Sequence, residues 1–131
     1  MIRILVVDDN SDMRELLGRE LELLGFTPLS AKDGKEGVEK AVAEKPDLIL
    51  MDLLMPVMDG WEATRRLRAN PETRDIPILA ATALFRSSEL DACIEAGCDG
   101  YIIKPFTMTE LENKIRELIH SPANIFPHRR T

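Results

Sequence analysis

The sequence of 131 residues has few cysteines, few aromatic residues and no long hydrophobic run. Its two cysteines, Cys93 and Cys98, form neither a CxxC motif nor a zinc-binding quartet. They lie five residues apart in or just beyond a predicted helix, so we expect buried free thiols that point to different sides. No apolar run approaches the ~20 residues that span a bilayer, and the N-terminal apolar stretch is too short for a signal peptide. The sequence therefore predicts a cytoplasmic protein that does not bind membranes.

Positive charge is also scarce. The chain has 17 Lys and Arg residues against 23 Asp and Glu residues, a net charge of −6. Because nucleic-acid-binding domains carry a basic face, we expect no direct binding to nucleic acid, and no attraction to anionic membranes. The hydrophobic fraction of 44% and the charged fraction of 31% are ordinary for a globular domain. The length and composition predict one folded domain with its own core.

Apolar runs alternate with helical patterns five times along the chain. Near-continuous apolar runs indicate strands that are buried on both faces, and hence a parallel sheet covered by helices. Four such runs lie at residues 2–7, 48–51, 76–83 and 101–103. A weaker run at 26–31 contains Pro28, which cannot donate to a sheet ladder, so we place this strand at an edge. The alternation predicts an α/β fold with a doubly wound parallel sheet.

Helix boundaries are marked by capping residues. The first helix begins after a cap at Asn10 or Ser11 and ends at Gly25. Asp33 and Thr107 each have a glutamate three residues later, the pattern of a capping box, and open the second and fifth helices.

Polar side chains follow the buried strands, where the binding crevice of a parallel α/β sheet lies. The residues expected at this edge are Asp8, Asp9, Asp52, Thr82 and Lys104. Three carboxylates beside one ammonium leave two excess negative charges, which a divalent cation would neutralise. An all-oxygen donor set favours Mg2+. Thr82 and Lys104 would then bind phosphate oxygens, which predicts phosphoryl chemistry.

Asp52 is the best candidate for a nucleophile because it stands alone at the central strand, whereas Asp8 and Asp9 form the metal-binding end. The sequence has neither GxxxxGK[ST] nor GxGxxG, so we do not expect a tightly bound ATP as the donor. A magnesium-dependent phosphatase is a rival interpretation. Such enzymes usually carry a second acid two residues after the nucleophile, where this sequence has Leu54.

Four motifs together resemble the receiver domain of bacterial two-component response regulators, with single-domain regulators of the chemotaxis type as the nearest likeness. The motifs are LVVDDN at 5–10, LMDLLMPVMDG at 50–60, AATA at 80–83 and YIIKPF at 101–106. The resemblance covers about residues 2–120. It implies a flavodoxin-like fold in which five parallel strands, in the order 2-1-3-4-5, are flanked by five helices.

The resemblance also assigns roles to the acidic residues. It implies that Asp52 is the phosphoryl acceptor. Asp9 and Asp52 would bind Mg2+ directly, and Asp8 would act largely through water. The backbone carbonyl of Leu54 would complete the protein ligands of the metal.

Switching residues follow from the same resemblance. It implies that the hydroxyl of Thr82 moves to meet the phosphoryl group and that the rotamer of Tyr101 follows this movement. Lys104 would bind the phosphoryl oxygens, and its peptide bond to Pro105 is expected to be cis. The face formed by the fourth helix, fifth strand and fifth helix would then change its preferred partner.

The implied function is a step in a phosphorelay. A phosphohistidine on a histidine kinase or a histidine phosphotransfer protein would donate to Asp52. The chain would be no enzyme toward other molecules and would catalyse only its own phosphorylation and slow self-dephosphorylation. Leu54 and Leu84 occupy positions that flank the attacking water in this family. We expect these apolar side chains to lengthen the phosphoryl lifetime.

Several alternatives concern the protein around this domain. We assign residues 1–120 to the receiver and 121–131 to a tail or linker. The chain is then either a single-domain regulator or the receiver of a hybrid histidine kinase or larger regulator. Gly100 stands where winged-helix transcription factors usually carry an acid, so we expect a monomer or weak dimer outside that class. A phosphorylation-independent interaction module is a remote alternative.

Overall fold

A computed structural model describes residues 1–83 and 86–120 of the chain. Strands and helices alternate through these residues as β1 (Arg3–Val7), α1 (Ser11–Leu23), β2 (Thr27–Ala31), α2 (Gly34–Glu44), β3 (Leu48–Asp52), α3 (Gly60–Ala69), β4 (Ile78–Thr82), α4 (Ser87–Ala96), β5 (Gly100–Ile103) and α5 (Met108–His120). No helix in the described part is long and apolar enough to cross a membrane. Leu84 and the predicted tail at 121–131 lie outside the described residues.

The five strands form one parallel sheet in the order β2-β1-β3-β4-β5, which confirms the expected fold. Side chains of one strand alternate between its two faces. One core cluster joins the sheet to α1 and α5, and the other joins it to α2, α3 and α4. Every residue of β3 and β4 is buried, which explains why their sequences are continuously apolar until the strand ends.

The weak second strand lies at an edge of the sheet, as Pro28 predicted. An edge strand needs no partner for its outward N–H groups, so proline is tolerated there. The ammonium of Lys40 on α2 donates a hydrogen bond to the backbone carbonyl of Ser30. That carbonyl points away from β1 because strand carbonyls alternate and the next one, on Ala31, accepts from the strand's neighbour. The exposed edge is thereby partly covered by the chain itself.

Side-chain caps begin the helices where the sequence placed them. The Asn10 side chain accepts a backbone N–H of the first turn of α1 at 3.0 Å, which identifies the cap. At α5 the box is reciprocal: Thr107 Oγ1 accepts the N–H of Glu110 at 3.1 Å, and Glu110 Oε1 accepts the N–H of Thr107 at 3.2 Å. At α2, Asp33 Oδ1 caps the N–H of Glu36 at 2.8 Å. There the glutamate side chain binds the N–H of the residue before the cap instead.

The two cysteines are buried and free, as expected. The expectation that they point to different sides is wrong. Gly97 ends α4 with a φ of +117°, and the N–H of Cys98 donates to the carbonyl of Cys93 at 3.1 Å. Both side chains therefore enter the same core cluster, because the left-handed residue turns the chain back over the last helical turn.

Gly60 opens α3 at a point where the helix touches the end of β3. A Cβ at this position would lie 2.4 Å from the carbonyl oxygen of Asp52 and 2.7 Å from the Cα of Leu53. Gly60→Ala is therefore expected to push α3 from the sheet and to lower the free energy of unfolding by about 1–3 kcal/mol. Urea denaturation of the variant and the parent protein measures this difference.

Gly18, in the middle of α1, is a matched control. A Cβ added at Gly18 would lie 4.0 Å from the closest atom, the Cβ of Pro28, so alanine fits. Gly18→Ala is expected to raise the free energy of unfolding by about 0.5–1 kcal/mol through helix propensity. Equal stabilities of the Gly60 and Gly18 variants would contradict the steric argument.

Candidate functional site

The predicted site residues meet at the carboxyl edge of the sheet. Asp8 directly follows β1, Asp52 ends β3, Thr82 ends β4 and Lys104 directly follows β5. The strands are aligned at this edge: the last residue of β3 pairs with the penultimate residue of β4, and the last residues of β4 and β5 pair with each other. The topology thus brings four residues from distant parts of the sequence to one level.

Three carboxylates form the centre of this group. One oxygen from each of Asp8, Asp9 and Asp52 lies within 4.8 Å of the others. Asp8 is 3% exposed and Asp52 is 9% exposed, whereas Asp9 is open to solvent. Oxygen donors of this kind suit a hard divalent cation that keeps part of its water shell. The cluster can therefore hold a metal ion at a position that solvent reaches from one side.

Asp8 is held by three further groups. Its Oδ1 accepts the N–H of Asn10 at 2.9 Å, and its backbone carbonyl accepts a guanidinium N–H of Arg14 at 2.6 Å. Its Oδ2 lies 3.3 Å from Nζ of Lys104. The sequence analysis did not identify Arg14. A usable signal was its place in the first turn of α1, because helical side chains tilt toward the N-terminus and so reach back over the preceding loop.

Lys104 lies between two of the acids. Its Nζ is 3.3 Å from Asp8 Oδ2 and 3.8 Å from Asp52 Oδ1, and its side chain is 23% exposed. The peptide bond from Lys104 to Pro105 is cis, as the resemblance implied. The backbone N–H of Lys104 donates to the carbonyl of Thr82 at 2.8 Å. The ammonium is thus held beside the buried carboxylates by the end of the sheet.

Burial raises the pKa of Asp52 to about 6. The charge of Lys104 and the N–H of Leu54, which lies 3.4 Å from Asp52 Oδ1, lower this pKa, while the charges of Asp8 and Asp9 raise it. The desolvation effect is the largest, because the carboxylate exchanges water for the interior of the sheet edge. At neutral pH the carboxylate is ionised, but at a cost in stability.

The remaining predicted residues occupy the neighbouring strands and the loop after β3. Thr82 is fully buried at the end of β4. Tyr101 is half-buried in β5, where its Cα pairs with that of Ala80 and its ring packs against the core cluster shared with α2, α3 and α4. Leu54 is 53% exposed beside Asp52. The structure thus joins the three acids and Lys104 directly and places Thr82 at the adjoining strand end.

Comparison with known proteins agrees with this arrangement. The family model described as "Response regulator receiver domain" matches residues 4–116. Response regulator MprA of Mycobacterium ulcerans is 42% identical over 118 residues, which cover 90% of this chain and 50% of that protein. RpaA of Synechocystis, named a DNA-binding dual master transcriptional regulator, is 38% identical over 95% of this chain and 52% of its own length. The chain spans about half the length of these curated relatives.

A solved structure extends the likeness to three dimensions. The receiver domain of the sensor histidine kinase PA1611 from Pseudomonas aeruginosa superposes with a TM-score of 0.86 and 36% sequence identity. The match covers 92% of this chain and 98% of that one, and the name of that structure states that a magnesium ion is coordinated in its active site cleft. The family match over most of the chain, the sheet order and the strand-end acids lead to one conclusion. This chain belongs to the receiver domain family of two-component response regulators.

Proposed function

We propose that this chain accepts a phosphoryl group on Asp52 from a phosphohistidine of a histidine kinase or histidine phosphotransfer protein, with Mg2+ bound. One observation carries the proposal. Asp52 is a nearly buried carboxylate at the central strand, with two further carboxylates within 4.8 Å and an ammonium 3.8 Å away. A lone structural aspartate would not need this surrounding set of charges.

The donor set fits Mg2+. Asp9 and Asp52 would bind the ion directly, Asp8 would act through water, and the backbone carbonyl of Leu54 would be the third direct protein ligand. Asp8 suits the indirect role because both of its carboxylate oxygens already have polar neighbours, at 2.9 and 3.3 Å. When bound, the ion supplies positive charge that offsets the acids and the phosphoryl oxygens.

The chain's own groups perform the transfer. An oxygen of Asp52 forms the bond to phosphorus while the bond from phosphorus to the donor imidazole nitrogen breaks, and the imidazole leaves with that electron pair. The ammonium of Lys104 is already positioned 3.8 Å from Asp52 Oδ1, so it can contact a phosphoryl oxygen without a large rearrangement. The hydroxyl of Thr82, at the next strand end, would donate to another.

Switching follows from the added charge. The single negative charge of Asp52 becomes about two on phosphorylation. Thr82 would move toward the phosphoryl group, and Tyr101 would enter the space that it leaves. The face formed by α4, β5 and α5 would then prefer a different partner protein. The chain would catalyse no reaction beyond its own phosphorylation and slow self-dephosphorylation.

Incubation with acetyl phosphate and Mg2+, followed by intact-protein mass spectrometry, tests the acceptor. We expect one phosphoryl adduct per chain, absent from Asp52→Asn and from a sample with EDTA. Asp12→Asn, which removes an exposed acid in the first turn of α1, is the matched control and should keep the adduct. An adduct of equal yield on Asp52→Asn would overturn the proposal.

Leu54 provides a second measurement, the lifetime of the adduct after the donor is removed. Its backbone N–H lies 3.4 Å from Asp52 Oδ1, and its apolar side chain cannot orient a water molecule by hydrogen bonding. Leu54→Asn is expected to shorten the lifetime by roughly tenfold, because an amide can position the attacking water. Leu23→Asn, at a position on α1 that is 80% exposed, is the control and should leave the lifetime unchanged. An unchanged lifetime for Leu54→Asn contradicts the role. Leu84, proposed to act with it, lies outside the described residues.

We assign the receiver domain to residues 1–120 and a tail or linker to 121–131. The match to the PA1611 receiver is equally compatible with a single-domain regulator and with the receiver of a hybrid histidine kinase. The half-length matches to MprA and RpaA support a place in a larger regulator. In either setting we propose that this domain itself is a monomer or weak dimer and, with its net charge of −6, does not bind nucleic acid directly.

A further inference from the structure

The end of α4 brings the two cysteines of the chain together. The helix ends at Ala96, Gly97 adopts a φ of +117°, and the N–H of Cys98 donates to the carbonyl of Cys93 at 3.1 Å. Helices that end in this way normally make an apolar contact between the second residue past the cap and the last full turn. Here both partners of that contact are cysteines.

Their separation suits a disulfide. The 3.1 Å hydrogen bond joins the backbones of the same two residues and keeps their Cα atoms within about 7 Å of each other, and disulfides join Cα atoms about 4.4–6.8 Å apart. Both side chains are 0% exposed, both are free thiols, and both lie in the core cluster beneath α4.

We propose that Cys93 and Cys98 are a redox-active pair, which hydrogen peroxide converts to an intramolecular disulfide that ties the last turn of α4 to the loop leading into β5. Two S–H bonds and the O–O bond of peroxide break, and one S–S bond forms. The two sulfurs together lose two electrons and two protons. Peroxide accepts the two electrons and the two protons and becomes two molecules of water.

The surroundings distinguish the two sulfurs. The contact with Cys93 lowers the pKa of Cys98, and burial acts against this. The hydroxyl of Thr64, 3.8 Å from the Cys98 sulfur, and the charge of Arg68 also lower it. The contact with Cys98, followed by burial, raises the pKa of Cys93. Because the Thr64 hydroxyl can donate to a thiolate on Cys98, we assign Cys98 as the nucleophile. Its thiolate attacks peroxide to give a sulfenic acid, and Cys93 then displaces water from it.

The pair is separate from the acidic group around Asp52, so this inference does not depend on the proposed phosphoryl transfer. Because both sulfurs are buried, peroxide reaches them when the end of α4 opens locally. Once formed, the bridge would restrain the junction between α4 and β5. Oxidation would thereby act on the same face that the proposed phosphorylation switches.

Peptide mapping of the full chain after peroxide treatment tests the bridge. Trypsin cleaves after Arg86 and after Lys114 but not between Lys104 and proline. One tryptic peptide therefore holds both cysteines. We expect this peptide to lose about 2 Da, the mass of two hydrogens, and to regain it with dithiothreitol. Glu-C protease cuts at Glu95, between the cysteines, so its two fragments should remain linked until reduction. Cys93→Ala and Cys98→Ala should each abolish the bridge.

A second measurement needs no variant. In a glutathione redox buffer, the equilibrium constant for the bridge should be at least tenfold higher in the folded chain than in the chain unfolded by urea, because the fold holds the sulfurs together. Equal constants would overturn the proposal. So would two thiols that remain free after peroxide treatment, addition of oxygen to one cysteine without a bridge, or links between separate chains.

Discussion

Replacing Arg68 with methionine is expected to lower the free energy of unfolding by about 3–5 kcal/mol. The guanidinium of Arg68 is 11% exposed and lies 2.7 Å from a carboxylate oxygen of Asp99, which is completely buried. The same guanidinium donates to the backbone carbonyls of Gly97, Arg74 and Ile76 at 2.7–2.9 Å. Methionine can fill the space but removes the guanidinium that faces the buried carboxylate at 2.7 Å. The loss is large because a buried charge cannot be compensated by water.

Urea denaturation followed by the fluorescence of Trp61, the only tryptophan, measures this loss. Arg19→Met is the matched control, since Arg19 on α1 pairs with Glu15 while its own side chain is 71% exposed. Exposed pairs contribute little, so this control should change the free energy of unfolding by less than about 0.5 kcal/mol. Similar losses in the two variants would show that burial of the pair with Asp99 is not the source of stability.

Asp52→Asn is expected to make the metal-free protein more stable at pH 7. Burial raises the pKa of this carboxyl from an ordinary value of 3.8 to about 6, so the folded state disfavours the charged form. At 1.36 kcal/mol per pKa unit the penalty is about 3 kcal/mol at most. Asparagine has nearly the same shape without the charge. The proposed acceptor is therefore a residue that the fold retains against its own stability.

The stability difference between Asp52→Asn and the parent protein is expected to increase with pH. Well below pH 4 the carboxyl is protonated in the folded and unfolded states, and the stabilities of the parent protein and Asp52→Asn should differ little. Between about pH 4 and 6 the unfolded state ionises first, so the parent protein loses stability as the pH rises through the folded-state pKa of about 6. The advantage of the variant should therefore grow over this window and be constant above pH 7.

Urea denaturation in EDTA at a series of pH values measures the difference. Asp12→Asn, at an exposed position, is the control for the loss of one carboxylate. Added Mg2+ should stabilise the parent protein more than Asp52→Asn, because the variant lacks one of the proposed ligands. A variant that is less stable than the parent in EDTA at pH 7, or a difference that does not vary with pH, would contradict the desolvation of Asp52.

Local patterns in the sequence determined the elements of the fold. Continuous apolar runs predicted the strands, and Pro28 predicted the edge strand. The capping residues Asn10, Asp33 and Thr107 marked the starts of three helices. These features need only neighbours within a few residues, since backbone geometry, helical periodicity and capping act over one or two turns. The carboxyl ends of parallel strands meet at one edge of a sheet, and the acids and Lys104 follow such strands. The centre of the candidate site was therefore also predictable from sequence alone.

Contacts between distant segments were decided only by the tertiary structure. Arg68 and Asp99 are 31 positions apart, and no local pattern pairs them. The turn at Gly97 directed Cys98 back toward Cys93, where spacing alone suggested divergence. The raised pKa of Asp52 likewise depends on how deeply the assembled sheet and loops bury it. Sequence periodicity states which face of an element is apolar, but packing of the assembled elements decides which buried polar groups meet and how far water is excluded from them.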